Sequence, residues 1–163
     1  ISGVVSMILG IGSDLTDIRR ITQSLEKYED RFENRVFAEI EQTRARAQQS
    51  PAAAYAKRLA AKEACAKALG VGIRGLSGLK NMQNAEKEEN ASAENNPRAV
   101  SFKDILVENE LNGRPVLKLS GEAEARLHEM TPAGMTPEVH ISLTDEGDYA
   151  MAFVILSAAQ ASH

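Results

Sequence analysis

The run from Ser50 to Gly70, Ser-Pro-Ala-Ala-Ala-Tyr-Ala-Lys-Arg-Leu-Ala-Ala-Lys-Glu-Ala-Cys-Ala-Lys-Ala-Leu-Gly, constrains this chain more than any other stretch. Ala, Lys, Leu and Glu are strong helix formers. Ser50 is placed to be the N-cap and Pro51 the first helical residue, where its missing N–H costs nothing. Gly70 is a natural stop. The sequence therefore predicts one long helix over 51–69. On a helical wheel turning about 100° per residue, Leu59, Ala66 and Leu69 fall within roughly 40° of Tyr55. Glu63 and Lys67 lie on the flank of that apolar stripe, four residues apart and therefore neighbours. Lys62 falls near the centre of the stripe. A lysine there must snorkel or pair with something, so this face is expected to line a polar pocket.

The other elements are arranged around this helix. The apolar run Met7 to Ser13 reads as a buried strand stopping at Asp14. Ile18, Ile21, Leu25, Tyr28 and Phe32 recur at helical steps and predict an amphipathic helix from near Asp17. A more polar helix is expected over Ala38–Gln48. Phe102–Val107 and Arg114–Leu119 flank Asn112-Gly113, a strong hairpin signal. A short helix should run from Ser120 to His128 or Glu129. Val139, Ile141 and Leu143 alternate with His140, Ser142 and Thr144, predicting a half-buried strand. Tyr149–Leu156 reads as a more completely buried final strand. The expected class is α+β, a mainly antiparallel sheet packed on one long helix. The expected organisation is a single domain over 7–158. Met7 reads as a natural first residue, with residues 1–6 added or upstream. Residues 80–97 hold five Asn and four Glu with no aromatic or β-branched residue, and read as a mobile insertion.

Charge is unevenly spread. Residues 1–80 carry 13 Lys+Arg against 9 Asp+Glu, and residues 81–163 carry 6 against 14. A net charge of −4 argues against a general nucleic-acid binder, yet the basic half leaves room for a phosphate site or an acidic partner. Cys65 is the only cysteine, so no internal disulfide is possible, and a cytoplasmic setting is expected. No apolar run approaches the roughly 18 residues of a membrane span.

Between Pro51 and Lys80 there are six Lys+Arg and a single carboxylate, Glu63. A lone carboxylate in so basic a segment suits a metal ion held among phosphates; the plain alternative is an exposed Glu–Lys pair. Gly70-Val-Gly72-Ile-Arg-Gly75 has the form G-x-G-x-x-G but follows a helix instead of opening one, so a dinucleotide fingerprint does not fit. It is either a helix stop and turn or a loop whose backbone approaches a ligand closely. Asp14 is either a hard-cation ligand at a strand end or a turn residue. His140, Ser142 and Thr144 are a weak catalytic set, His128 reads as solvated, and Cys65 as a small core residue.

Together these segments resemble the holo-acyl-carrier-protein synthases. Gly10-Ile-Gly12-Ser-Asp14-Leu-Thr-Asp-Ile18-Arg-Arg20-Ile21 resembles their N-terminal G-I-G-x-D-x-x-x-I-x-R-I signature. Arg58-Leu-Ala-Ala-Lys62-Glu63-Ala-Cys-Ala-Lys67-Ala-Leu-Gly70 resembles R-x-A-A-K-E-A-x-x-K-A-L-G. Phe102-Lys-Asp104-Ile with Asn112-Gly113-Arg-Pro115 resembles the intervening hairpin. Ser142-Leu-Thr-Asp145 with Tyr149-Ala150 resembles the C-terminal S-L-S-H…Y-A pattern. The likeness runs from about Met7 to Ser157.

The resemblance implies transfer of 4′-phosphopantetheine from coenzyme A to a serine of apo acyl carrier protein, with release of 3′,5′-ADP, in support of fatty acid biosynthesis. It implies Mg²⁺ held by Asp14 and Glu63, and Glu63 and Lys67 as catalytic residues. It implies coenzyme A contacts from Arg58, Lys62, Lys67, Gly70 and Gly72, carrier contacts from Arg19 and Arg20, and a homotrimer with sites between subunits. Asp145 departs from the pattern, standing where the family usually has His at the coenzyme A site. That departure is the feature favouring a rival reading, a non-catalytic module that holds coenzyme A or carrier protein. Intact Asp14, Glu63 and Lys67 oppose it. A broader-range transferase is the other rival, and one short domain opposes that.

Overall fold

The computed structural model describes residues 5–75, 79 and 97–160. Two antiparallel sheets and five helices make up the described fold. Strand β1 (Ser6–Asp17) leads into α1 (Ile18–Tyr28), α2 (Asp30–Val36), α3 (Glu39–Arg46) and α4 (Pro51–Leu69). A 3₁₀ turn (Phe102–Asp104) precedes the hairpin β2 (Ile105–Asn109) and β3 (Pro115–Leu119). Helix α5 (Gly121–Met130) then leads to β4 (Met135–Glu146) and β5 (Tyr149–Gln160). The larger sheet has the order β1-β5-β4, with β5 in the centre. The insertion expected over 80–97 lies, apart from Pro97, outside the described residues.

Helix α4 has the expected bounds, because its caps are chemical. The Ser50 hydroxyl accepts a hydrogen bond from the Ala53 amide, and Gly70 closes the helix in the left-handed region at φ 66°. The amphipathic segment after β1 is two helices instead of one. Glu29 adopts φ 46°, breaking the helix between Tyr28 and Asp30 and turning Phe32 and Val36 into the core. Strand β1 continues to Asp17, past the expected stop at Asp14, because pairing with β5 extends to Asp17↔Tyr149. Asp14 therefore sits within a strand.

Helix α4 packs on the inner face of the larger sheet. On β5 that face carries Ala150, Ala152, Val154, Leu156 and Ala158, all fully buried. Small residues on both sides, including Ala61 and Ala64, bring helix and sheet close. The reading of β5 as a more completely buried strand is corrected: its burial alternates. Tyr149, Met151 and Phe153 point outward and are exposed, beside Ile11 and Leu15 of β1. These side chains are apolar, which hid the alternation in the sequence.

Candidate active site

The seam between β1 and α4 is set by two glycines. A Cβ on Gly12 would lie 1.9 Å from the Ala64 carbonyl oxygen, and one on Gly10 would lie 2.0 Å from that of Ala68. Backbone touches backbone there, and any side chain would force the strand away. Two residues on, Asp14 is opposite Ala152 and so faces α4. Lys67 Nζ donates to Asp14 Oδ1 at 2.9 Å and to the Ser13 carbonyl at 2.9 Å. Thr16 Oγ1 donates to Asp14 Oδ2 at 3.2 Å. The Asp14 side chain is 11% exposed and that of Lys67 55%. Glu63, half-buried, lies one helical turn before Lys67. The seam thus carries a fixed carboxylate, a cation reaching solvent, and a second carboxylate on the same helix flank.

Among the described residues, no three His, Cys, Asp or Glu side chains gather as a ready-made metal cage. Asp14 and Glu63 offer two hard carboxylates. That donor set fits Mg²⁺, which is usually held by one or two carboxylates together with waters and substrate phosphates. The Lys67 ammonium against Asp14 shows that this carboxylate already accepts a cation.

Further toward the start of α4, Arg58 lies at a cleft of about 620 Å³ lined also by Arg44, Lys57, Val107, Pro115 and Leu143. Arg58 is 7% exposed. Its Nη1 donates to the Ala54 carbonyl at 3.0 Å, while its Nε has no hydrogen-bond partner. Burial lowers the affinity of Arg58 for its proton, but an arginine starts so high that it stays charged. A charged, desolvated group with an unmet donor is costly unless an anion arrives. The Asn112-Gly113 turn closes the hairpin on this side, with Gly113 at φ 87°.

Lys62 does not face this cleft. It is fully buried, and its Nζ donates to Glu41 Oε2 at 2.9 Å, to the Phe102 carbonyl at 2.9 Å and to the Ile105 carbonyl at 2.7 Å. Desolvation holds its pKa down, against the opposing pull of Glu41. The expected polar pocket on the apolar face is filled by the protein's own carboxylate. Glu41 in turn accepts from the amides of Ala38 and Val107. The pair therefore ties α3 and the hairpin to α4, and in this arrangement Lys62 has no hydrogen left to give a phosphate.

Gly70 and Gly72 follow α4 at the Lys67 end, and the Gly72 carbonyl accepts from the Val100 amide. Arg19 is engaged with Asp17, Asp148 and the Tyr149 hydroxyl, whereas Arg20 is exposed on α1. His140 lies on the outer sheet face beside Ser157, and His128 is on the surface near Glu124. Burial pushes the Cys65 thiol up to about 12, so it is an inert core residue. Sequence reading missed Lys57 and Arg44 as cleft residues. Only the Lys57-Arg58 dipeptide signalled the first. Arg44 is brought in by the packing of α3 on α4, which nothing local to it encodes.

The family model described as the 4′-phosphopantetheinyl transferase superfamily matches residues 10–154. The chain belongs to that superfamily. A holo-[acyl-carrier-protein] synthase from Phenylobacterium zucineum is 49% identical over 156 residues, covering 96% of each chain. One from Caulobacter vibrioides is 45% identical, covering 93% of this chain and 97% of its own. The crystal structure of the Neisseria meningitidis holo-[acyl-carrier-protein] synthase aligns with a TM-score of 0.68 at 31% identity, covering 92% of this chain and 98% of that one. A Bacillus anthracis holo-(acyl-carrier-protein) synthase in complex with CoA (3′,5′-ADP) aligns with a TM-score of 0.62 at 29% identity, covering 95% and 99%. By family this chain is a phosphopantetheinyl transferase of the holo-[acyl-carrier-protein] synthase kind. The match begins at Gly10, so both seam glycines, Asp14 and the whole of α4 lie within it.

Proposed function

We propose that this transferase moves the 4′-phosphopantetheine group of coenzyme A onto a serine of apo acyl carrier protein in a Mg²⁺-dependent reaction, releasing 3′,5′-ADP. The observation that carries the reading is the Asp14–Lys67 contact, with Glu63 one turn away on a glycine-fixed seam. Along α4, Arg58 precedes Lys67 by nine residues, about 13.5 Å of helix rise. At about 100° per residue those nine residues put Arg58 and Lys67 on opposite faces of α4, so a coenzyme A that meets both is shared between the Arg58 cleft of one subunit and the Lys67 seam of its neighbour, as the homotrimer reading requires.

The serine oxygen attacks the β-phosphorus, the bond from that phosphorus to the bridging oxygen breaks, and the nucleotide leaves as 3′,5′-ADP. The serine proton passes to a water or carboxylate at the seam, a role for Glu63. Lys67, already oriented by Asp14 and the Ser13 carbonyl, meets the charge developing on the leaving oxygen. Asp14 and Glu63 would hold the Mg²⁺, which when bound would neutralise pyrophosphate charge. Gly70 and Gly72, at the Lys67 end of α4, let backbone approach the pyrophosphate side of coenzyme A, and Arg20, with Arg19 beside it, offers cationic contacts to an acidic carrier.

The same reading takes the chain as one transferase domain, cytoplasmic, serving fatty acid biosynthesis, and assembled as a homotrimer. Support for assembly comes from the outer sheet face. Ile11, Leu15, Met151 and Phe153 are 57%, 63%, 41% and 38% exposed, and Leu15 pairs in register with Met151. A contiguous apolar patch of this kind marks a contact surface. Released 3′,5′-ADP, followed by chromatography, should appear only when coenzyme A, Mg²⁺ and apo carrier are all supplied. Release that does not depend on the carrier would replace transfer with hydrolysis.

A further inference from the structure

Asp145 ends the helix-facing row of β4 that also holds Ile141 and Leu143. Its Oδ1 lies 2.7 Å from Lys57 Nζ, with the two side chains 39% and 33% exposed. An ion pair this open adds little stability. What it does is fix a long, flexible lysine. Lys57 lines the cleft next to Arg58, whose buried Nε has no protein partner, and Arg44 lines the same cleft. Arg44 itself is steered by its hydrogen bond to the Asn109 carbonyl at 3.4 Å. Three cations thus converge on one cleft against two carboxylates, Glu110 in its lining and Asp145 on Lys57, which leaves one net positive charge among these residues. That positive balance favours an anion over a neutral ribose or base, and the unmet Arg58 Nε–H offers a donor to a phosphomonoester oxygen.

We infer that Lys57 is a selectivity residue for the phosphomonoester on the ribose of the nucleotide substrate, and that Asp145 is the positioning residue that presents it. The inference rests on the coenzyme A reading above. Asp145 does not touch the nucleotide; it orders the Lys57 ammonium at the cleft mouth, so that binding need not order a free side chain. Asp145 is thereby more than a missing histidine, because its carboxylate recruits a cation from the neighbouring helix.

The test compares ligands with and without that phosphate. Calorimetry with 3′,5′-ADP and 5′-AMP gives a Kd ratio, and turnover with coenzyme A and dephospho-coenzyme A gives a KM ratio. Lys57→Met should lower both ratios about tenfold, the usual weight of one charge-assisted contact. Lys57→Arg should recover most of the loss. Asp145→Asn should lower the ratios about threefold, and should add nothing on top of Lys57→Met, since its action runs through that lysine. Equal weakening of both ligands in Lys57→Met, or a full Asp145→Asn effect in the Lys57→Met background, would overturn the inference. A wild-type protein that discriminates the nucleotides but transfers nothing would sink the transferase reading while leaving this one standing.

Discussion

Lys67 Nζ lies 2.9 Å from Asp14 Oδ1, joining the last turns of α4 to a residue inside β1. The contact exists because Gly10 and Gly12 bring the two backbones together. More than half of the Lys67 side chain is exposed, so the pair itself contributes at most about 1 kcal/mol to stability. Its weight lies in the chemistry. Lys67→Met should lower kcat by about 10²- to 10³-fold, the range seen when one oriented donor is removed. The melting temperature should barely move. A matching fall in both would make the contact structural.

Glu63→Gln keeps size and hydrogen bonding while removing the charge. It should abolish Mg²⁺-dependent turnover and leave the circular dichroism spectrum unchanged. Titrating Mg²⁺ against residual activity checks it, and near-normal turnover would remove Glu63 from the site.

Gly12→Ala places a methyl group 1.9 Å from the Ala64 carbonyl, which is backbone and cannot swing aside. Overpacking of this kind costs about 1–3 kcal/mol or more. Denaturant unfolding should show that loss, and activity should fall with it because Asp14 moves with β1.

Much of this was legible in the sequence, for reasons that differ by residue. Helix α4 could be read end to end because Ser50, Pro51 and Gly70 are local signals. That Asp14 of β1 and Lys67 of α4 belong to one seam was legible through motif order. The break at Glu29 was not, since a non-glycine residue at positive φ is chosen by tertiary packing. Nor was the fate of Lys62. Its wheel position showed that it needed a partner, but Glu41 lies 21 residues away on another helix. Likewise, Asp145 looked like a lost donor until β4 set it against Lys57.

The burial of Lys62 makes a prediction of its own. Lys62→Met leaves Glu41 fully buried without its counter-ion, and breaking such a pair costs about 3–5 kcal/mol. Adding Glu41→Gln should recover part of the loss by removing the stranded charge. Urea unfolding of the two single variants and the double variant measures the coupling. An additive cycle would deny the pair.

Acid stability should report on Glu33. Burial raises its pKa, but hydrogen bonds from Arg46 and Tyr55 outweigh that and hold it below the ordinary 4.5. A carboxyl depressed in the folded state stabilises the protein above its unfolded pKa. That contribution is lost as pH falls from 4.5 through the lower folded value. Glu33→Gln should flatten the stability profile over that acid window, and an unchanged slope would deny the linkage.

The most direct test of the central claim is the intact mass of apo acyl carrier protein after incubation with this protein, coenzyme A and Mg²⁺. The account predicts one added phosphopantetheine on the carrier serine, seen with the wild type and lost with Lys67→Met or Glu63→Gln. An unchanged carrier mass at every enzyme concentration, with coenzyme A still bound, would contradict it.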